Sequence, residues 1–199
     1  MHDISVLTDL TNMRTLDLSD TAVTDLTALA KLSDLEELKL NGTNVREISA
    51  LANLTRLTNL DLSRTKVKDV SPLSALNLRA LSLGGCPIEN VTPIRDLIDL
   101  QVLNLGCTWT NDATALSRLI KLRSLDLRGT RVRDIRPIAQ LVDLQSLDLA
   151  YTRVKEIRSL APLTHLEFLH LEGTAVTDLA ALASISGLKI LQELSDGDR

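Results

Sequence analysis

Leucine recurs along this chain at a fixed spacing, and this spacing restricts the fold more than any other feature of the sequence. The first leucine position of each unit is occupied by Met13, Leu35, Leu57, Leu78, Leu100, Leu122, Leu144, Leu166 and Leu188. Every step is 22 residues except the step from Leu57 to Leu78, which is 21. A period of about 20 to 50 residues is typical of repeat architectures, in which each unit packs only on its neighbours.

Each unit follows the consensus LxxLxLxxTxV, and this consensus predicts one strand followed by one short helical turn. Leu60 and Leu62 alternate with outward residues, which is the pattern of a strand buried on one face. Nine units therefore predict nine parallel strands. Asp69 and the Ser-Pro pair after it are typical of the start of a 3₁₀ or single-turn helix, which is expected to hold Leu73 and Leu76 inward.

The units resemble leucine-rich repeats of the 22-residue class, as in bacterial internalins and eukaryotic phosphatase-regulating repeat proteins. The resemblance covers residues 3 to about 194. It implies an α/β solenoid, an arc or horseshoe with a parallel β-sheet on the concave side and short 3₁₀ or helical turns on the convex side. We divide the chain into a partial first repeat (1–12), eight repeats of 21–22 residues (13–187), and a partial last repeat with a polar tail (188–199).

The family usually places asparagine after the strand, whereas this chain places threonine there. The threonines are Thr21, Thr43, Thr65, Thr108, Thr130, Thr152 and Thr174. Because a hydroxyl both donates and accepts hydrogen bonds, we expect a threonine ladder that satisfies buried amides of the turns. Cys86 occupies this position in the fourth unit and is predicted to be a buried structural thiol. Cys107 lies one place earlier in the next unit, and pairing of the two cysteines stays open.

Composition and charge exclude several classes of protein. Hydrophobic residues make up 44% of the chain but aromatic residues only 2%, so the core must be aliphatic. A net charge of -4 argues against a general nucleic-acid binder. The chain lacks a signal-peptide pattern, an apolar run near the ~20 residues of a membrane span, and a disulfide framework. We therefore expect a cytoplasmic protein, with a secreted or delivered bacterial effector as the alternative.

The sequence contains no recognisable catalytic or cofactor-binding pattern. The glycines form neither a dinucleotide-binding nor a phosphate-binding loop, and the histidines have no neighbouring cysteines or acidic residues at metal-ligand spacing. We therefore predict a protein that is not an enzyme, with no cofactor, no metal and no small-molecule substrate.

The outward residues of the predicted strands form two rows on the concave face. The first, which we call the acidic row, contains Asp17, Lys39, Asp61, Ser82, Asn104, Asp126, Asp148 and His170. The second, two places earlier in each unit, contains Thr15, Glu37, Asn59, Ala80, Val102, Ser124, Ser146, Phe168 and Ile190. The second row becomes apolar in its middle and at its C-terminal end.

The C-terminal part of these rows is the predicted contact surface for a partner. Asp126, Asp148 and His170 supply polar groups, and Phe168 beside His170 is the type of side chain that anchors interfaces. Tyr151, just past the previous strand, is expected to join them. The alternative is that Phe168 and Ile190 merely cover the C-terminal end of the core.

A second predicted contact surface follows the strands and is basic. We call it the basic rim; it contains Lys66, Lys68, Arg128, Arg131, Arg133, Arg136, Arg153, Lys155 and Arg158. Trp109 holds the same repeat position as Arg131 and Arg153, so it should lie beside arginine. Together with Arg133 and Lys155, these residues favour an acidic partner. The alternative is a solvated flank, partly neutralised by Asp69, Asp112, Asp134 and Glu156.

These observations predict a protein–protein interaction module that binds a protein through the concave face and the adjoining basic rim. A second hypothesis is a sensor or targeting domain of a larger signalling or effector protein, and the start of the sequence in mid-repeat favours it. A hypothesis of another class is binding of a polyanion or nucleic acid through the basic rim. The sequence leaves the oligomeric state open.

Overall fold

The computed structural model describes residues 2–192, in which nine parallel strands form one open sheet in chain order. The strands are β1 (Thr15–Asp17), β2 (Glu37–Lys39), β3 (Asn59–Asp61), β4 (Ala80–Ser82), β5 (Val102–Asn104), β6 (Ser124–Asp126), β7 (Ser146–Asp148), β8 (Phe168–His170) and β9 (Lys189–Leu191). In each strand the central residue points inward and the other two point outward. The nine-stranded parallel sheet predicted from the leucine period is confirmed.

A short 3₁₀ helix precedes each strand within the described residues. These helices are η1 (Ser5–Leu7), η2 (Thr27–Lys31), η3 (Ser49–Leu51), η4 (Ser71–Leu73), η5 (Thr92–Asp96), η6 (Thr114–Arg118), η7 (Arg136–Gln140), η8 (Arg158–Leu160) and η9 (Ala180–Leu182). At η4, Asp69 Oδ1 accepts a hydrogen bond from the backbone N–H of Ser71 at 2.8 Å. Leu73 and Leu76 are buried, so the predicted turn and its inward leucines are confirmed.

The core is a continuous stack of aliphatic side chains between the sheet and the 3₁₀ helices. Leu38, Leu125 and Leu147 are among the strand leucines that are completely buried in it. Parallel strands lie about 4.8 Å apart, whereas the helical turns behind them are bulkier. The stack therefore bends toward the sheet, and the outward strand residues line the concave face.

Six of the seven threonines after the strands close their own turns, which corrects the prediction that their hydroxyls form a ladder satisfying buried amides. Thr43 Oγ1 donates to the carbonyl oxygen of Leu40 at 2.7 Å. Five further threonines do the same to the residue three places earlier: Thr21, Thr108, Thr130, Thr152 and Thr174. The hydroxyl thus satisfies a carbonyl more often than an amide. Across residues 2–192, no buried side-chain nitrogen or oxygen lacks a hydrogen-bond partner.

Cys86 occupies the threonine position of its unit but contacts the preceding unit. Its thiol lies 3.2 Å from Thr65 Oγ1 and donates to the carbonyl of Leu62 at 3.0 Å. Cys86 is only 1% exposed, so the prediction of a buried structural cysteine is confirmed, and this burial raises the pKa of its thiol. Cys107 is exposed, and both cysteines are free thiols.

The last strand corrects one prediction. Phe168 pairs with Lys189, so the repeat from β8 to β9 is 21 residues long. Ile190 therefore lies next to the inward Leu169. Ile190 therefore packs against the core and does not belong to the outward row, which ends in Lys189. Because side chains alternate between faces, a shift of one residue exchanges the two sides of a strand. The polar tail predicted after the last repeat lies outside the described residues.

Candidate partner-binding surface

The acidic row forms a continuous line across the middle of the sheet. The strand register places Asn104 beside Asp126, Asp126 beside Asp148, and Asp148 beside His170. His170 Nδ1 lies 3.5 Å from Asp148 Oδ2. The structure therefore brings together Asp126, Asp148 and His170, the three polar residues predicted for this surface.

Most acidic or amide side chains of this row also hold the turn that follows the strand. Asp126 Oδ1 accepts a hydrogen bond from the backbone N–H of Arg128 at 2.8 Å. The same bond to the residue two places later is made by Asp17, Asp61, Asn104 and Asp148. Sequence reasoning missed this structural role. The sequence did contain a signal for this role, because Asp or Asn recurs at this position in five of the units. Both side chains favour turns by accepting a hydrogen bond from the backbone two residues later.

Asp126 is partly buried within the acidic row. Burial raises the pKa of the Asp126 carboxyl above its ordinary value of 3.8. The nearby Asp148 carboxylate raises this pKa further, whereas the hydrogen bond from the Arg128 backbone and the charges of Arg128 and His170 lower it. The negative charge of Asp126 is therefore less favourable here than in water.

All three aromatic side chains of the protein lie on its surface. Trp109 is 46% exposed, Tyr151 49% and Phe168 40%. Each has a cation over its ring: Arg131 lies 5.9 Å from the Trp109 centroid, Arg128 lies 5.4 Å from Tyr151, and Lys189 lies 5.3 Å from Phe168. The prediction that Trp109 lies beside an arginine is confirmed.

Phe168 and Tyr151 belong to the two successive units of β8 and β7, Phe168 at the start of its strand and Tyr151 in the turn after its strand. Phe168 points outward from β8 and lies outside the hydrophobic core, so it does not cover the end of that core; Ile190 packs there instead. Tyr151 lies in the turn after β7, where its hydroxyl donates to Glu172 at 2.5 Å. This hydrogen bond and Arg128 hold the tyrosine ring at the edge of the concave face.

The structure divides the basic rim into separate parts. Arg133, Arg153 and Lys155 line one groove together with Arg136 and Arg158. Trp109 and Arg131 lie outside the lining of this groove, and Lys66 and Lys68 belong to the third unit.

The acids near the basic rim act mainly on the 3₁₀ helices. Asp69, Asp112 and Asp134 each accept the backbone N–H of the residue that starts the following helix. Among these acids and Glu156, an ion pair with an arginine is present only between Asp134 and Arg136 in the described part of the chain. The acids therefore neutralise little of the rim.

The family described as "Leucine-rich repeat region" matches residues 77–198, which is more than half of the chain, and "Leucine Rich repeats (2 copies)" matches residues 33–75. The chain belongs to the leucine-rich repeat family. A search of curated proteins found no significant match.

Solved structures show that this leucine-rich repeat protein is internalin-like. Internalin C2 from Listeria monocytogenes has a TM-score of 0.89 and 31% identity, over 92% of this chain and 82% of the internalin. An internalin (inlF) from the same organism has a TM-score of 0.82 and 26% identity, over 98% of this chain and 71% of that chain. The plant peptide hormone receptor RGFR1, solved in complex with RGF2, shares the fold: its TM-score is 0.82 at 20% identity, over 96% of this chain and 33% of the receptor.

One further surface feature of the leucine-rich repeat array escaped sequence reasoning. Ile98, Ile120 and Val142 occupy the same place in three successive units, between the 3₁₀ helix and the strand, and each is about half exposed. Other units have a hydroxyl residue there: Ser33, Thr55, Thr164 and Ser186. Alignment of the units against one another would have identified this apolar stripe.

No helix among residues 2–192 has the length and apolar character to cross a membrane.

Proposed function

We propose that this leucine-rich repeat protein is a protein–protein recognition module and not an enzyme. The observation that carries the proposal is the placement of Trp109, Tyr151 and Phe168, the only aromatic residues, on the surface and not in the core. Aromatic side chains would bury large apolar areas, yet this fold leaves their rings about half exposed. Aromatic residues are enriched at interfaces and dominate binding energy there.

The concave face supplies the area for such a partner. Phe168 and His170 point outward from β8, Asp148 lies beside His170, and Tyr151 lies at the edge of the same face. A partner seated here meets an aromatic anchor surrounded by polar groups, which is the usual anatomy of an interface. We propose this group as the main contact, with the basic rim as an adjoining one.

The test is affinity capture with the whole chain, compared between surface variants. We expect a double variant, Phe168→Ala with His170→Ala, to lose a protein that the wild type retains, because the aromatic anchor and its polar neighbour are both removed. Val142→Ala is the matched control, since Val142 is a similarly exposed apolar residue outside the concave face. Captured proteins are identified by mass spectrometry and their affinities are measured with purified partner.

The thermal unfolding transition of each variant decides between a contact role and a core role. Phe168 lies outside the core, so the transition should stay nearly unchanged. Equal recovery of every captured protein by wild type and by the concave double variant would contradict the proposal, as would unfolding of that variant. Trp109→Ala in the same assay tests whether the partner also reaches the basic rim.

A further inference from the structure

Two successive units carry basic residues that the fold itself does not require. Arg131, Arg133 and Arg136 of one unit stack beside Arg153, Lys155 and Arg158 of the next. At the last of these three places the other units have Thr27, Ser49, Ser71, Thr92, Thr114 and Ala180. Those units form the same turns with small neutral residues, so the fold does not require an arginine at this place.

The groove between these units carries an excess of free positive charge. Its basic lining residues are Arg133, Arg136, Arg153, Lys155 and Arg158. Arg136 is neutralised, because its Nη2 lies 2.6 Å from Asp134 Oδ2. Within residues 2–192 the other four have no ion pair, and the groove's remaining carboxylate, Glu156, has none either. Four cations against one free acid leave the groove strongly positive on a protein of net charge -4.

The groove also has an apolar component. Ala175 is exposed in its lining, whereas Ile135 lies buried beneath it. Ala175 stands where the two preceding units have Arg131 and Arg153, so the small side chain leaves the end of the groove open. Cationic walls over an apolar lining suit a ligand that combines carboxylates with an apolar side chain.

These properties favour an acidic protein segment over a nucleic acid. Arginine forks match carboxylates with two parallel hydrogen bonds. Single-stranded nucleic acids are usually held by aromatic side chains that stack on the bases, and no aromatic residue lines this groove. The net negative charge of the protein also opposes a long polyanion.

We propose that the groove between Arg133 and Arg158 binds an extended acidic segment of a protein, with an apolar side chain between carboxylates. The proposal rests on the recognition function proposed above and adds the chemistry of the partner. The carboxylates pair with Arg153, Lys155 and their neighbours, and the apolar side chain contacts Ala175.

The experiment measures binding of a fluorescent glutamate-rich peptide with a central leucine to the full chain by anisotropy at physiological ionic strength. The test variant is Arg153→Glu with Lys155→Glu. The control is Lys66→Glu with Lys68→Glu, which changes the same repeat positions and the same charge in the third unit, away from the groove. We expect the test variant to bind about tenfold more weakly, because two charge-assisted contacts become repulsive, and the control to change little.

Three results would overturn the proposal: no peptide binding by the wild type, equal weakening in both double variants, or equally tight binding of single-stranded DNA of the same charge. The neutral variant Arg153→Gln with Lys155→Gln, checked by circular dichroism, takes the place of the reversed variant if that one unfolds. Phe168→Ala with His170→Ala should leave peptide binding intact. Capture of a partner through the concave face without peptide binding would therefore sink this inference and leave the proposed function standing.

Discussion

Gly173, in the turn after β8, shows how one residue can combine two separate constraints. Its φ is +65°, a region that L-residues adopt at a cost of about 1–2 kcal/mol. A Cβ atom at this position would also lie 2.5 Å from Tyr151 Cδ1. Gly187 provides the comparison, because its φ is +77° but a Cβ atom there would meet nothing within 4 Å.

We therefore predict that Gly173→Ala destabilises the protein more than Gly187→Ala. Both substitutions carry the backbone cost of about 1–2 kcal/mol, and only the first displaces the tyrosine ring. Urea unfolding of the two variants measures the difference. Adding Tyr151→Ala to Gly173→Ala should recover the extra loss; equal stability of the two single variants would show that the ring moves freely.

Asp126 gives a prediction about pH. Its pKa in the folded protein is raised by burial above the ordinary 3.8, so the folded state loses stability as the pH rises through that folded-state pKa. Asp126→Asn removes this loss and keeps the turn, since Asn104 accepts the same backbone bond from Gly106 at 2.8 Å. We expect the variant to be more stable than the wild type at neutral pH.

The gain from Asp126→Asn should disappear below pH 3.8, where the aspartate is protonated in both states. Chemical unfolding across this range checks the prediction. A constant difference between variant and wild type at every pH would contradict it, because such a difference would not come from ionisation.

At the scale of elements, an aspartate two places ahead accepts the first backbone N–H of six of the nine 3₁₀ helices within residues 2–192. Asp112 Oδ1 accepts the backbone N–H of Thr114 at 2.8 Å and its hydroxyl at 2.6 Å, and these bonds lower the pKa of Asp112. The resulting stability is present above the unfolded pKa of 3.8 and is lost as the pH falls through the folded-state pKa. Glu156, at the same repeat position, makes no such bond to Arg158 among the described residues.

We predict that Asp112→Ala costs about 0.5–2 kcal/mol, as loss of a helix cap does. Glu156→Ala should change stability by less than about 0.5 kcal/mol, which is usual for an exposed substitution. Thermal and urea unfolding at neutral pH compare the two. A loss at Glu156 as large as that at Asp112 would mean that the cap is not the source of the stability.

The sequence predicted the positions of the strands but not the register of the last one. The strand positions followed from the alternation of Leu60 and Leu62 and their equivalents, because a buried face selects every second residue. The register of β9 did not follow, because its Lys-Ile-Leu sequence gives two aliphatic neighbours to choose between. Pairing of Leu169 with Ile190 resolved that choice.

For the whole molecule, each strand pairs only with its neighbours in the order β1 to β9. A solenoid of this kind is stabilised by contacts between adjacent units, so its middle and its ends should respond differently to the same change. Leu125 in β6 is fully buried between two neighbours, whereas Leu16 in β1 is half-buried and has one neighbouring strand.

We predict a loss of about 2–5 kcal/mol for Leu125→Ala, because the aliphatic core cannot easily fill the cavity. The same substitution at Leu16 should cost clearly less. Equilibrium unfolding in urea measures both losses. Equal losses at the two positions would show that the array unfolds as a single unit without weaker ends.

The amino-acid sequence by itself determined the number of strands, their order, the aliphatic core and the place of each surface row, because a repeated burial pattern allows only one stacking. Tertiary structure decided what individual surface residues do. It showed that Asp126 holds a turn, that Asp134 neutralises Arg136, and that Arg153 and Lys155 share an open groove. The first two roles depend on contacts between residues two places apart within one unit, and the third depends on side chains of two adjacent units. The leucine period alone specifies none of these contacts.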